Sequence, residues 1–348
     1  MNTCLIDESK ERARVRRGVS LTSAVLCLFV VLIHLTSEPV GRLAAYSVWH
    51  IVVFAVNKSL CFAVPLFLFL SGFKLYGRYG AEPMEVGRFY LGRLRKIVLP
   101  YVLSVLVYFA YFYIKAWVLL SDLPEYLFLG TLVAHFYYVV VAVQLYLLFP
   151  LLRFAVYRYP RLSLVLSFLI TAGLRLFVAF PYMDRFFAPY LLYFVVGMVA
   201  SRMGWGEKTR KLPWLVPLSA LLVGVLHICL SYGQTVGSTP YRLSELINIG
   251  YVLLAGATVF CLCTKQDPSP RLWRMAPLDH ASYTVYLYHI LLIFVLQYDI
   301  LPYVTASVGL RFALSTVTVY GGIVVYACLK SRFVKNRARR HSKMEVCT

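Results

Sequence analysis

Apolar runs of about twenty residues recur from one end of the chain to the other, and this limits the fold more than any single motif. An α-helix rises about 1.5 Å per residue, so about twenty apolar residues cross a hydrocarbon core of about 30 Å. Strands of a membrane barrel would be about half as long and would alternate in polarity. Ten spans fit the runs: 20–37, 55–73, 97–118, 136–154, 162–180, 186–202, 212–231, 246–264, 281–301 and 306–329. Composition agrees, since 60% of the 348 residues are hydrophobic and only 14% are charged, with a mean hydropathy of +0.72. The sequence predicts an all-α fold, a polytopic membrane helix bundle with about ten transmembrane helices.

A net charge of +20 invites a nucleic-acid reading, but its distribution opposes one. Segments 1–19, 73–96, 153–161, 202–211, 265–274 and 330–348 carry five, six, three, four, three and seven Lys or Arg residues, 28 of the chain's 35. The other seven are Arg42, Lys58, Lys115, Arg175, Arg185, Arg242 and Arg311. Such alternation is the positive-inside pattern, and it predicts cytoplasmic N- and C-termini in a cell inner (plasma) membrane. The charge thus points to topology and anionic lipids rather than to nucleic acid. The expected organisation is a basic cytoplasmic segment 1–19, a membrane domain 20–329 and a basic cytoplasmic tail 330–348.

The first span follows a basic leader without a clear small-residue cleavage site and reads as a retained anchor. Segment 39–54 reads as an interfacial helix leading into the second span. Most of the eight cysteines fall in apolar runs or on the cytoplasmic side, so no disulfide framework is expected. Cys261 and Cys263, one residue apart on a helix, are poorly placed to share a metal. The outer loops are short and mildly acidic, leaving the membrane interior as the place for chemistry.

Ionisable groups at membrane depth are costly and default to functional candidates. His34 sits toward the far end of the first span, about 21 Å along its helix from Ser20. An imidazole near a helix end also suits a headgroup-level or carbonyl-bonded position, and depth alone leaves both readings open. Arg175 lies at a similar height in its span and is expected to face the bundle interior. His135 and Arg311 fall toward the outer third, with Gln144 and His289 nearer the middle. Arg311, close to a span start, is expected to snorkel. A cavity lined by His34 and Arg175 and open to the outside follows as an expectation, with His135, Gln144 and His289 as further lining groups.

At the cytoplasmic rim, Arg93-Leu-Arg95-Lys96 leads into the third span. A regular helix would put Arg93 and Lys96 on one face, a cationic pair suited to phosphate, although the positive-inside rule alone also accounts for it. Several classes lack their signatures. There is no Gly-x-x-x-x-Gly-Lys-Ser/Thr loop, no zinc spacing and no Gly-x-Ser-x-Gly elbow, so no metal is expected. Ser71-Gly72 reads instead as a close-packing site.

Taken in order, Leu28-Phe-Val-Val-Leu-Ile-His34, Phe62-Ala-Val-Pro65-Leu-Phe-Leu-Phe-Leu-Ser71-Gly72-Phe73, Arg93-Leu-Arg95-Lys96-Ile-Val-Leu-Pro100-Tyr101, His135-Phe-Tyr-Tyr with Gln144-Leu-Tyr146-Leu-Leu-Phe-Pro150, and Ala281-Ser-Tyr283-Thr-Val-Tyr286-Leu-Tyr-His289 resemble the acyltransferase-3 family of integral membrane proteins. The resemblance covers nearly the whole chain. It implies transfer of an acyl group from cytoplasmic acyl-CoA, usually acetyl-CoA, to a sugar hydroxyl of a cell-surface glycan or glycolipid. It makes His34 the essential first-span histidine, acting as general base or acyl relay, and Arg93 with Lys96 the Arg-x-x-Arg donor motif with its second arginine replaced. An exporter or flippase of a lipid-linked sugar, using the same cavity without catalysis, is the alternative from another class.

One departure stands out. Family members commonly carry Arg or Lys eleven residues before the histidine, often with a carboxylate three residues earlier. Here those positions are Ser23 and Ser20. Either Arg16 or Arg17 substitutes for the missing cation from below, or this member binds a different donor, or it has lost transfer activity.

Overall fold

The computed structural model describes residues 2–80, 83–208, 213–265, 267, 269 and 275–346, and within them side chains from residue 9 to 333 other than 208 and 276. Parts of the basic segments 1–19, 73–96, 202–211, 265–274 and 330–348 lie outside the described residues. Every regular element among the described residues is helical. The long helices are α1 (Asn2–Arg42), α2 (Val48–Ser59), α3 (Ala63–Tyr79), α4 (Val86–Arg93), α5 (Leu99–Ile114), α6 (Tyr137–Arg158), α7 (Pro160–Phe177), α8 (Leu191–Arg202), α9 (Leu215–Thr235), α10 (Tyr241–Thr264), α11 (Ala276–Phe294) and α12 (Val308–Val346).

Nine helical stretches among the described residues are long and apolar enough to cross a membrane. The chain is a multi-pass membrane protein. Nine of the ten expected spans fall on these stretches, and the run at 186–202 forms the shorter helix Ala188–Arg202 instead. Its α8 portion, 12 residues, rises only about 18 Å, short of the bilayer core. Phe194, Met198, Val199 and Ala200 are fully buried, so α8 is an internal helix shielded by neighbours on most sides. Elsewhere large apolar side chains stand on the outside, among them Phe154, Leu221 and Val317. In water such exposure would be a liability, whereas lipid is as apolar as the core.

Two compact units divide the chain, one comprising 1–15 and 61–265, the other 16–60 and 266–348. In the first, α3 and α8 meet at backbone distance because two glycines face each other's helix. A Cβ on Gly72 would lie 2.2 Å from the Phe194 carbonyl oxygen, and one on Gly197 2.0 Å from that of Phe69. Small residues permit this approach in lipid, where van der Waals contact replaces the hydrophobic drive. Thr171 on α7 ties in the start of α8, accepting from the Leu192 N–H and donating to the Ala188 carbonyl, both at 3.1 Å. Pro160 begins α7 at a position where its missing N–H costs nothing.

The second unit contains most of α1 together with α2, α11 and α12. Ser20, Cys27 and His34 recur every seven residues and so share one face of α1. That face meets α11 in matching order. Ser20 Oγ donates to Asp279 Oδ2 at 2.7 Å, the Cys27 thiol donates to the Ser282 carbonyl at 3.9 Å, and His34 stands beside His289. Both helices advance through these contacts together, so α1 and α11 run parallel. Tyr320 on α12 donates to the Leu28 carbonyl at 2.9 Å, and Gln297 donates to Ser315 at 2.9 Å.

Candidate active site

The His34 and His289 rings have centroids 5.1 Å apart with planes tilted by 51°. His34 is half-buried and His289 is buried. Nδ1 of His289 lies 3.0 Å from the Val285 carbonyl oxygen and 2.8 Å from that of Tyr286. Carbonyl oxygens only accept, so Nδ1 carries the hydrogen, and in the neutral ring Nε2 holds the lone pair. One imidazole is thus oriented by its own helix and the other faces it across the α1–α11 contact. Such a pair has the groups to accept and return a proton.

Below the pair, Ser23 is buried and its hydroxyl donates to the Val19 carbonyl at 3.1 Å, the back-bonding usual for serine within a helix. Ser20 meets the carboxylate of Asp279, so an acid does stand near this end of α1, supplied by α11. Arg17 pairs with Asp267 at 2.5 Å on an exposed surface. Near the helix end, Glu38 pairs with Arg42 at 3.0 Å, and α1 continues through Pro39 to Arg42. Arg311 donates from Nε to the Thr305 carbonyl at 2.8 Å.

The other expected site residues lie in the first unit. Arg175 meets Glu245 through Nε at 2.8 Å and through its terminal nitrogen at 2.6 Å, with both side chains about one-sixth exposed. The guanidinium is therefore largely buried and charge-paired. Gln144 uses both ends of its amide on the loop before α8, donating to the Arg185 carbonyl at 2.8 Å and accepting from the Phe187 N–H at 3.0 Å. His135 is buried in a short 3₁₀ turn against the rings of Tyr108 and Phe136.

The expectation that Arg93 and Lys96 share a face needs correction. Residues Leu94–Val98 form a π-helical turn between α4 and α5. Its i→i+5 bonding widens the turn, and three residues no longer bring the chain back to the same side. Arg93 is half-buried, with its guanidinium 5.5 Å from the Phe89 ring centre and 5.7 Å from that of Tyr146. Arg95 and Lys96 are exposed. Arg93 thus lies over two aromatic rings, whereas Lys96 is an exposed point charge.

Sequence reading did not single out a further polar group in the first unit. Cys61 Sγ lies 3.4 Å from His227 Nε2 and 3.5 Å from Asn248 Oδ1, and His227 stacks on Tyr251 with centroids 5.0 Å apart. A histidine in the middle of α9 was the available signal.

A parallel helix pair thus carries two facing imidazoles in a multi-pass membrane protein. The chain matches the model of the acyltransferase-3 family, described as an acyltransferase domain, over residues 20–328, and it belongs to that family. It is a membrane acyltransferase. No curated protein and no solved structure matches it.

Proposed function

We propose that the protein transfers an acyl group from acyl-CoA, with acetyl-CoA the family's usual donor, to a hydroxyl of a cell-surface glycan or glycolipid. The observation that carries this reading is the facing of His34 and His289. An acyl transfer to a hydroxyl needs a base close to its operating pH, and imidazole is that group. His34 takes the proton of the acceptor hydroxyl as its oxygen attacks the thioester carbonyl. The carbon–sulfur bond breaks, the new ester forms, and the imidazolium returns the proton to the departing thiolate. The second ring, His289, holds the first in place and shares the proton load.

On the donor side, Arg93 supplies a preoriented phosphate-binding cation, with Lys96 adding mobile charge at the rim. Both termini and the basic segments are cytoplasmic in this reading, the membrane is the plasma membrane, and anionic lipids contact the basic rim. The membrane domain is 20–329, flanked by the basic segments 1–19 and 330–348. Arg175, His135 and Gln144 contribute to acceptor recognition, with Arg175 paired to Glu245.

The test is mass spectrometry of surface polysaccharide from a host lacking the gene, complemented with wild type or His34→Ala at equal membrane levels. Restored acyl groups with wild type and their loss with His34→Ala are expected. Equal acylation in both strains would remove His34 from the reaction.

A further inference from the structure

Resting on the reading of the donor as an acyl-CoA, we infer that Cys61 is a covalent acyl-accepting site, which takes the donor's acyl group as a thioester with His227 as its base. Cys61 Sγ lies 3.4 Å from Nε2 of His227, within the reach of a sulfur hydrogen bond. Nδ1, on the other side of that ring, is 3.5 Å from Ser231 Oγ, one turn further along α9. When Nδ1 donates to Ser231, Nε2 holds the lone pair. Nucleophile, base and a third group that orients the base thus stand in line, the arrangement that activates a weak nucleophile.

The base is held in place and the thiol is accessible. His227 is only 4% exposed and stacks on Tyr251, with centroids 5.0 Å apart and planes 13° apart. Gly224, one turn earlier on α9, gives that ring its room, because a Cβ there would lie 2.8 Å from Tyr251 Cε2. Cys61 is partly exposed and stands in the turn immediately before α3. The N–H groups of a helix's first turn favour negative charge beside them, which suits a thiolate. Cys27 is the contrast within the same chain. It is 3% exposed and bonds the Ser282 carbonyl, which cannot remove its proton.

An acyltransferase binds an activated acyl donor as its substrate, and exchange of one thioester for another keeps the acyl group activated. Rotation about the Cβ–S bond turns the thiol hydrogen from Asn248 Oδ1, to which it donates at 3.5 Å, toward His227 Nε2. The imidazole takes the proton and the thiolate attacks the thioester carbonyl. The bond from the carbonyl carbon to the CoA sulfur breaks and the bond to Sγ forms. The imidazolium returns its proton to the departing CoA thiolate, so no further co-reactant enters.

The experiment mixes full-length protein in vesicles with acetyl-CoA, without acceptor, and follows acid-quenched samples by peptide mass spectrometry. Wild type is expected to gain one acetyl group on the peptide containing Cys61, removable by neutral hydroxylamine, and none on that containing Cys27. His227→Gln should slow this loading about 10²-fold or more, the usual contribution of a positioned base. Cys61→Ala should abolish it. In wild type alone, iodoacetamide should alkylate Cys61 about tenfold or more faster than Cys229, an exposed cysteine of α9. Saturating acetyl-CoA should block that alkylation, a readout independent of turnover and of any variant's folding.

Transfer from acetyl-CoA to the glycan by vesicles in which Cys61 stays unmodified, and reacts with iodoacetamide no faster than Cys229, would overturn the Cys61 assignment while leaving acyl transfer standing. Loading that is undiminished in a folded His227→Gln protein would mean chemical acetylation of an accessible thiol, and would overturn it equally. Consumption of no acyl-CoA, by vesicles whose parent cells do acylate the glycan, would overturn the acyl-CoA donor and this site together.

Discussion

His34 on α1 and His289 on α11 face each other at 5.1 Å between ring centroids, although 255 positions separate them in the chain. Parallel packing of the two helices brings them together, and the seven-residue spacing of Ser20, Cys27 and His34 sets the register. Groups that act as one unit lose activity non-additively. His34→Ala is expected to lower acyl transfer by about 10²–10⁴, the usual contribution of a positioned base. His289→Ala should cost a comparable factor, and the double variant little more than either. Acyl content of the surface glycan at matched membrane levels measures all three. A double variant whose loss is the product of the single losses would mean that the rings act separately.

The contact of α3 with α8 makes a second, structural prediction. Gly72→Ala and Gly197→Ala each drive a methyl into a backbone carbonyl of the facing helix, at 2.2 Å and 2.0 Å before any relaxation. Helices cannot yield there without separating, so each variant should cost about 1–3 kcal/mol or more. Gly173→Ala serves as the control. Nothing lies within 4 Å of its Cβ, and alanine is favoured in a helix interior by up to about 1 kcal/mol. Thermal unfolding of the detergent-solubilised protein should show the first two falling and the third holding or rising.

How much of this was legible in the sequence varies by element. The runs at 136–154 and 246–264 were readable because burial in lipid demands apolar residues along the full crossing. The helix at 186–202 was readable as apolar but not as internal, since a helix buried in protein and one facing lipid have the same composition. His34 and His289 were each visible as imidazoles at depth. Their pairing depends on the α1–α11 register, which no local pattern encodes. The acidic partners were hidden for the same reason: Asp279 for Ser20 and Glu245 for Arg175 are 259 and 70 positions away. The π-helical turn at Leu94–Val98 has no compositional signature, so Arg93 and Lys96 were read on an α-helical wheel that the backbone does not follow.

That turn separates the roles of the two rim cations. Arg93 is flattened against Phe89 and Tyr146, a geometry that only a planar guanidinium fits. Arg93→Lys should therefore raise the KM for acyl-CoA several-fold, and Arg93→Ala further, with smaller changes in kcat. Lys96→Ala should raise KM less than Arg93→Ala, and its effect should shrink as salt is added, because exposed charges are screened. Steady-state kinetics in vesicles at two ionic strengths distinguishes the pair. Equal and equally salt-sensitive effects would place both cations in one exposed cluster.

Arg175 and Glu245 permit the most stringent test, because the pair's stability and its function can be read apart. The two side chains are about one-sixth exposed and bonded at 2.6–2.8 Å. Removing one partner leaves the other charge in a largely dry site, which costs on the order of 3 kcal/mol. Arg175→Met and Glu245→Leu should each destabilise the solubilised protein by about that amount. The double variant should recover most of the loss, since two apolar residues of similar volume leave no charge unpaired. Transfer activity then decides what the pair is for. If the recovered double variant also regains acyl transfer, Arg175 serves the helix contact alone. If it folds as wild type yet transfers at a tenth of the rate or less, the Arg175 charge acts on the acceptor side of the reaction.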